Sequence, residues 1–276
     1  KPDVIHICTP PQYHYEIIKR FYKKRIGIFL EKPFVLKKTE INDVIKNSSP
    51  KCLISCNHNY VYKKSIQRLL NFTTENNIRP KQIFAYYSIN TNKGNYMQGN
   101  NHWSYNIPSG PIVNNISHPL SIINLFGGKF REININQKIE GTLDSLNVDI
   151  KTESSHAFCK IFMSDKYFDK SVTFIFDDFK VHCDLHRDTI YFYNLDGGII
   201  NDFLFTSLKD VYYSFRDIIS GPSRLVQSIT REMPDITNCM QKFYSDFLDG
   251  SETSFNELVD NVAVIDKIIK ISEYHE

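Results

Sequence analysis

Two short motifs near the start of the chain carry residue types that suit ligand chemistry. They are Thr9-Pro10-Pro11-Gln12-Tyr13-His14 and, seventeen residues after His14, Glu31-Lys32-Pro33. Each follows a short apolar run, at residues 4–8 and 26–30. Read as parallel strands, these runs put both motifs at strand carboxyl ends, the edge where ligands bind in open α/β sheets. Pro10-Pro11 stops the strand and stiffens the turn, so backbone atoms can face a ligand. Lys32, just past a buried strand and ahead of Pro33, projects an ammonium into the crevice. Each motif has an ordinary reading, as a strand-ending turn or a solvated loop. Their joint position on successive strand ends favours a site.

The elements that must position them follow from periodicity. Helix-like spacing covers residues 12–24, with Tyr15, Ile18 and Tyr22 three and four apart, and residues 37–46; a third apolar run spans 52–56. Continuous apolar strands between amphipathic helices predict a parallel sheet covered on both faces. From about Ile83 the strands lengthen and alternate: 83–90, 132–139, 147–151, 157–163, 172–176, 180–185 and 189–193. A Gly/Pro/Asn-rich stretch, residues 91–110, is long for an ordinary connection, and loops of that length are usually functional or disordered. Three helix-like segments, around 209–230, 236–249 and 255–273, close the chain. The expected fold class is α/β: a partial doubly wound (Rossmann) sheet over residues 1–57, then an α/β domain with a large, mostly antiparallel open sheet over 58–276.

Other clusters are weaker. His182-Cys183-Asp184-Leu185-His186 has strand spacing that could gather metal ligands, but no further ligand cluster accompanies it, so no metal is expected. The basic run Lys19-Arg20 with Lys23-Lys24-Arg25 reads as a solvated helix face; no nucleic-acid partner is implied. Neither G-x-G-x-x-G nor G-x-x-x-x-G-K occurs, and Gly127-Gly128 follows a helix instead of opening one. The six cysteines are irregularly spaced, three inside apolar runs, which favours reduced buried thiols and a cytoplasmic setting. Hydrophobic residues at 41%, charged residues at 23% and a net charge of +2 describe a globular protein with a real core. No apolar stretch reaches the roughly 18 residues needed to cross a bilayer. Three Asn-x-Ser/Thr matches, at Asn47, Asn71 and Asn115, carry little weight in an Asn-rich chain.

The ordered set of motifs resembles the Gfo/Idh/MocA oxidoreductase family. The likeness rests on residues 3–11 with His14, on Phe29-Leu30-Glu31-Lys32-Pro33-Phe34 and on Asn57-His58-Asn59-Tyr60. It continues through Trp103, Pro108-Ser109-Gly110, Asn115-Ile116-Ser117-His118-Pro119-Leu120 and the closing helix around 254–273. The resemblance implies hydride transfer between NAD or NADP and a carbon, typically CH–OH of a sugar, cyclitol or nucleotide-sugar. On it, Lys32 contacts nicotinamide ribose and substrate. Thr9, Pro10, Pro11, His14 and Glu31 lie on the cofactor side, and Trp103 lies in the substrate loop. His118 exchanges the substrate hydroxyl proton, and Asn114 stands where the family often has Asp. An imidazole near neutral pKa can act as acid and base, and an ammonium polarises the reacting oxygen.

Departures are informative. Asn114 cannot tune an imidazole by charge. Ser109-Gly110-Pro111 replaces the usual glycine run, and Ser121 stands where an Asp frequently follows the histidine. Pro119 would kink a helix begun before Asn114 but suits the first turn of one begun near Ser117, and in the second case Asn114 and His118 need not share one helical face. Lys1-Pro2-Asp3 runs straight into a strand, so the expectation is a chain without the family's first strand and glycine-rich turn. A small sugar-like substrate and a homo-oligomer, dimer or tetramer, are the expected partners, with no membrane. A non-catalytic regulator on the same scaffold and an enzyme acting on C=N stand as alternatives.

Overall fold

A computed structural model describes residues 2–91, 102–135, 144–166, 169–195 and 234–273. Three parallel strands, β1 (Val4–Ile7), β2 (Ile26–Leu30) and β3 (Cys52–Cys56), lie in the order β1-β2-β3. Every residue of β2 is buried, as a central strand covered on both faces requires. Alternation sends Ile26, Ile28 and Leu30 to one face, where they meet Ile18 of α1 (His14–Lys19) and Ile41 and Val44 of α2 (Lys38–Asn47). Phe29 and Leu53 face the other way, onto Cys239 and Phe243 of α5 (Pro234–Leu248). Gly27 lets α5 close on the strand: a Cβ there would lie 2.9 Å from the Phe243 ring and 3.1 Å from Phe247. Helices from the end of the chain thus cover strands from its beginning.

The second sheet has the order β10-β9-β8-β4-β7-β6-β5. Its strands are β4 (Gln82–Asn90), β5 (Phe130–Ile135), β6 (Ser145–Thr152), β7 (His156–Ser164), β8 (Lys170–Ile175), β9 (Phe179–Asp184) and β10 (Thr189–Asn194). Only β4 and β7 pair in parallel. Ile83, Ala85, Tyr87 and Ile89 point inward from β4 and join Ile66 and Leu69 of α3 (Lys64–Glu75) and Ile112, Ile116 and Leu120 of α4 (Gly110–Gly127). α6 (Asn256–Glu273) spans both cores, with Leu258 and Val262 in the first and Ile265 and Ile268 in the second. The sheet's outward face carries Phe84, 41% exposed, stacked on Phe158 at 5.3 Å, with Tyr86 beside Phe162.

The helix expected over residues 12–24 is shorter. Pro11–Tyr13 forms a 3-10 turn, α1 ends at Lys19, and the chain turns back towards β2. α3 was not foreseen, although Ile66, Leu69 and Thr73 bury at helical spacing. α4 begins at Gly110 with Pro111 in its first turn and runs through Pro119, so the start near Ser117 does not occur. The expected helix over 209–230 lies outside the described residues, as do residues 136–139 of the expected strand.

Candidate functional site

The two motif turns are clamped together by His14. Its ring is fully buried, with Nε2 2.7 Å from the Thr9 carbonyl oxygen and Nδ1 3.0 and 3.1 Å from those of Pro33 and Phe34. One side chain thereby fixes the turn after β1 against the turn after β2. Its place is behind the turns, a positioning role, while Thr9 is exposed and Pro10 half-buried at the sheet edge. Pro11 is buried as the first residue of the 3-10 turn, and the Tyr13 amide donates to the Pro10 carbonyl at 3.0 Å.

Glu31 continues β2 by donating its amide to the Ile7 carbonyl at 3.0 Å, and its carboxylate accepts from Asn57 Nδ2 at 3.0 Å. Lys32 then reaches across to α4. Its Nζ donates to the Asn114 carbonyl at 2.8 Å and to Asn114 Oδ1 at 3.3 Å. Burial lowers the Lys32 ammonium to about 8, against the opposing pull of Glu31 and then Cys56.

α4 brings Asn114 and His118 onto one face, four residues apart. The His118 ring is 7% exposed and stacks on Tyr60 at 4.2 Å, with Tyr87 at 5.8 Å. His118 Nδ1 is buried and has no hydrogen-bond partner among the described residues. A buried polar atom without a partner is costly, and a ligand oxygen would relieve it. Burial, then Lys32, Lys170, His58 and Lys63, hold His118 well below its ordinary value, so it is a neutral imidazole at pH 7. His58 differs. Burial pulls it down, but Cys56 and the Glu257 carboxylate, 2.6 Å from its Nδ1, hold it well above the usual imidazole range.

Of the groups around this stack, Lys170 and Tyr87 were not singled out from the sequence, whereas Tyr60 closes the motif Asn57-His58-Asn59-Tyr60. Tyr60 sits in a 3-10 turn, Asn59–Tyr62, that leads into α3. Lys170 opens β8 opposite Tyr87; its Nζ donates to Tyr60 Oη at 3.1 Å and lies 4.5 Å from the centroid of Tyr87. The signal for Lys170 was present: it is in phase with the inward Val172 and Phe174. At the end of the long loop, His102 accepts from the Ser104 amide at 3.2 Å, and its ring lies 5.2 Å from Trp103. Burial and then Lys32 lower His102, which places this loop end in the field of the lysine; Trp103 is 37% exposed.

The weaker clusters do not converge here. His182 bonds Thr173 Oγ1 at 2.9 Å, whereas Cys183 buries on the opposite face, and among the described residues no three His, Cys, Asp or Glu side chains gather as a metal site. Lys19 and Lys24 lie over Tyr15 and Phe21 of their own segment. All six cysteines are free, with only Cys8 exposed. No described helix is long and apolar enough to cross a membrane.

Residues 1–54 match the family model described as "Oxidoreductase family, NAD-binding Rossmann fold", GFO_IDH_MocA. The match covers this N-terminal segment of the 276-residue chain. The Lys32 turn and the Thr9 turn lie in the segment that this model matches, and the whole chain shares its fold with solved dehydrogenases. UDP-N-acetylglucosamine 3-dehydrogenase GnnA from Acidithiobacillus ferrooxidans superposes with a TM-score of 0.70 at 12% identity, over 99% of this chain and 79% of that one. The WlbA dehydrogenase from Bordetella pertussis, solved with NADH and UDP-GlcNAcA, gives 0.70 at 11% identity, over 100% and 79%. Levoglucosan dehydrogenase, solved with NADH and levoglucosan, gives 0.68 at 13%, over 99% and 79%. At these identities the likeness is one of fold. No curated protein matches the chain by sequence.

Proposed function

We propose that this protein is an NAD(P)-dependent oxidoreductase that interconverts a CH–OH and a C=O carbon of a sugar-like substrate. One observation carries the reading. Lys32, from the end of a Rossmann strand, meets α4 at Asn114, one turn before a buried His118 whose Nδ1 lacks a partner. The residues fit a nicotinamide at this edge, with an exposed turn at Thr9, backbone held by Pro10 and Pro11, and the Glu31 carboxylate beside Lys32. When bound, the cofactor accepts or supplies the hydride.

The chain's own groups do the rest. The Lys32 ammonium donates to the reacting oxygen and stabilises the negative charge that grows there. A neutral His118 takes the hydroxyl proton at Nδ1 during oxidation and returns it to the oxygen during reduction. Asn114 holds Lys32 in place through its carbonyl and its side-chain oxygen. The stack of Tyr60 on His118 excludes water from one face of the imidazole. In this reading residues 1–57 form the cofactor side and 58–276 the substrate side, with Trp103 at the mouth of the pocket. The outward sheet face, with Phe84 stacked on Phe158, supports a homo-oligomer formed through that face.

The test is turnover. The purified chain is mixed with NAD or NADP and a panel of sugars, cyclitols and nucleotide-sugars, and nicotinamide absorbance is followed. Substrate-dependent turnover that is lost in Lys32→Met supports the reading. Turnover indifferent to that substitution defeats it.

A further inference from the structure

The turn after β3 carries a buried charge that the mechanism above leaves unused. His58 is buried, and its Nδ1 lies 2.6 Å from Oε1 of Glu257, a residue in the first turn of α6. The Glu257 side chain is 36% exposed, so the pair runs from the interior to solvent. His58 Nε2 is buried and has no hydrogen-bond partner among the described residues. An apolar side chain would fill the same space without leaving a polar atom unpaired.

The residues on either side of His58 hold the two halves of the site. Asn57 donates its amide to the Leu30 carbonyl at 2.8 Å and its Nδ2 to Glu31 Oε1 at 3.0 Å, and Glu31 acts on Lys32. The His58 carbonyl accepts from the Val61 amide at 3.3 Å and opens the 3-10 turn whose Tyr60 stacks on His118. That turn packs on α4 and α5. His58 thus stands between Glu31 with Lys32 on one side and Tyr60 with His118 on the other.

Its charge matters as well as its place. Burial opposes an imidazolium here, but Cys56 and then Glu257 hold His58 well above its ordinary value, so it is a cation at pH 7. The groups that face it are Cys56 of β3, Glu257 of α6 and Cys239 of α5. The charged groups that act on His118, after burial, are Lys32, Lys170, His58 and Lys63. A cation beside an imidazole disfavours its protonated form.

We propose that His58, charge-paired with Glu257, is a positioning residue for His118: it fixes the turn that carries Tyr60 and keeps a cation near the imidazole, so that His118 stands ready as a free base. This rests on the reading of the site as that of an oxidoreductase. His58 acts through His118 and needs no contact with substrate.

The experiment follows the histidine ring protons by NMR between about pH 5 and 9, with kcat/KM measured over the same range. Signals are assigned by their loss in His58→Gln and in His118→Gln. In the unaltered protein His58 should be protonated at pH 7 and His118 neutral. His58→Gln keeps an amide donor for Glu257 and removes the charge. The His118 midpoint should then rise by about one pH unit, and the acid limb of kcat/KM should rise with it. Glu257→Gln should lower the His58 midpoint and raise that of His118. A purely structural role would lower Tm and scale kcat/KM equally at every pH. That result with an unmoved His118 midpoint, or a neutral His58 at pH 7 in the unaltered protein, would overturn the proposal. Should His58→Gln not fold, Glu257→Gln decides by the same two midpoints. The NMR readout needs no turnover. Midpoints that move in a protein inactive on every substrate would remove the oxidoreductase reading and keep the coupling. Turnover that depends on Lys32, with midpoints that stay in place, would do the reverse.

Discussion

Raising the pH should switch off Lys32 within the ordinary working range of an assay. Burial brings its ammonium to about 8. The group is then about ten parts charged to one neutral at pH 7 and the reverse at pH 9, so a rate that needs the charge falls about tenfold between those values. His118, held well below its ordinary value, stays a neutral base throughout, so the acid limb lies below pH 6.5. The profile of kcat/KM at saturating cofactor should be flat through neutrality and fall above about 8, the value to which Lys32 is shifted. Lys32→Met should lower kcat by about 10²–10³, the worth of one preorganised donor to a developing oxyanion, with cofactor affinity within about threefold. Asn114→Asp would put a carboxylate where Lys32 already bonds, raise the lysine and carry the falling limb to higher pH. Lys170 stands at about 8 as well, so the same profile in Lys170→Gln on a neutral substrate separates the two lysines. A falling limb that Asn114→Asp leaves in place, or full activity in Lys32→Met, would refute this account of Lys32.

Four further outcomes follow from the same geometry. His118→Ala should cut turnover by about 10²–10⁴, the usual contribution of a positioned acid–base group, and should abolish the acid limb of the pH–rate profile. The folded pKa of Lys32 lies below its unfolded value, so burial penalises the folded state fully below pH 8 and progressively less up to 10.5. Lys32→Met should therefore raise Tm at pH 7, by about 2–4 °C for each kcal/mol of relieved penalty, with the gain shrinking above pH 8. Gly27→Ala should cost about 1–3 kcal/mol in denaturant unfolding, because its Cβ would collide with Phe243 in the α5 contact. If the outward sheet face forms an oligomer, Phe84→Ser with Phe158→Ser should halve the mass or more in light scattering while the fold, read by circular dichroism, persists.

Local signals made much of this molecule legible before its fold was known. The runs Ile26–Leu30 and Cys52–Cys56 read as parallel strands and fold as such, because pentamers this rich in apolar residues are best accommodated in a covered sheet. Alternation gave β4 and β7 nearly to the residue. α4 was harder. It is buried on nearly every side, so it lacks the polar stripe that marks a surface helix, and Pro119 argues locally for a later start. Among site residues, Lys32 and His118 sit in short contiguous motifs, whereas Lys170, Tyr60 and Tyr87 come together only through the pairing of β8 with β4 and the turn before α3. No single-sequence pattern specifies which strand lies beside which. His14 illustrates the complementary case, a residue visible in its motif whose work is to hold two turns together.

The most direct test of the central claim follows the hydride itself. A nicotinamide cofactor deuterated at its reactive carbon is incubated with the chain and the oxidised form of whichever substrate supports turnover, and the product is examined by mass spectrometry and NMR. The account predicts one deuterium on the carbinol carbon of the product, at a rate that collapses in both Lys32→Met and His118→Ala. Label found on a carbon bonded to nitrogen, label lost to solvent, or transfer unaffected by either substitution would contradict it.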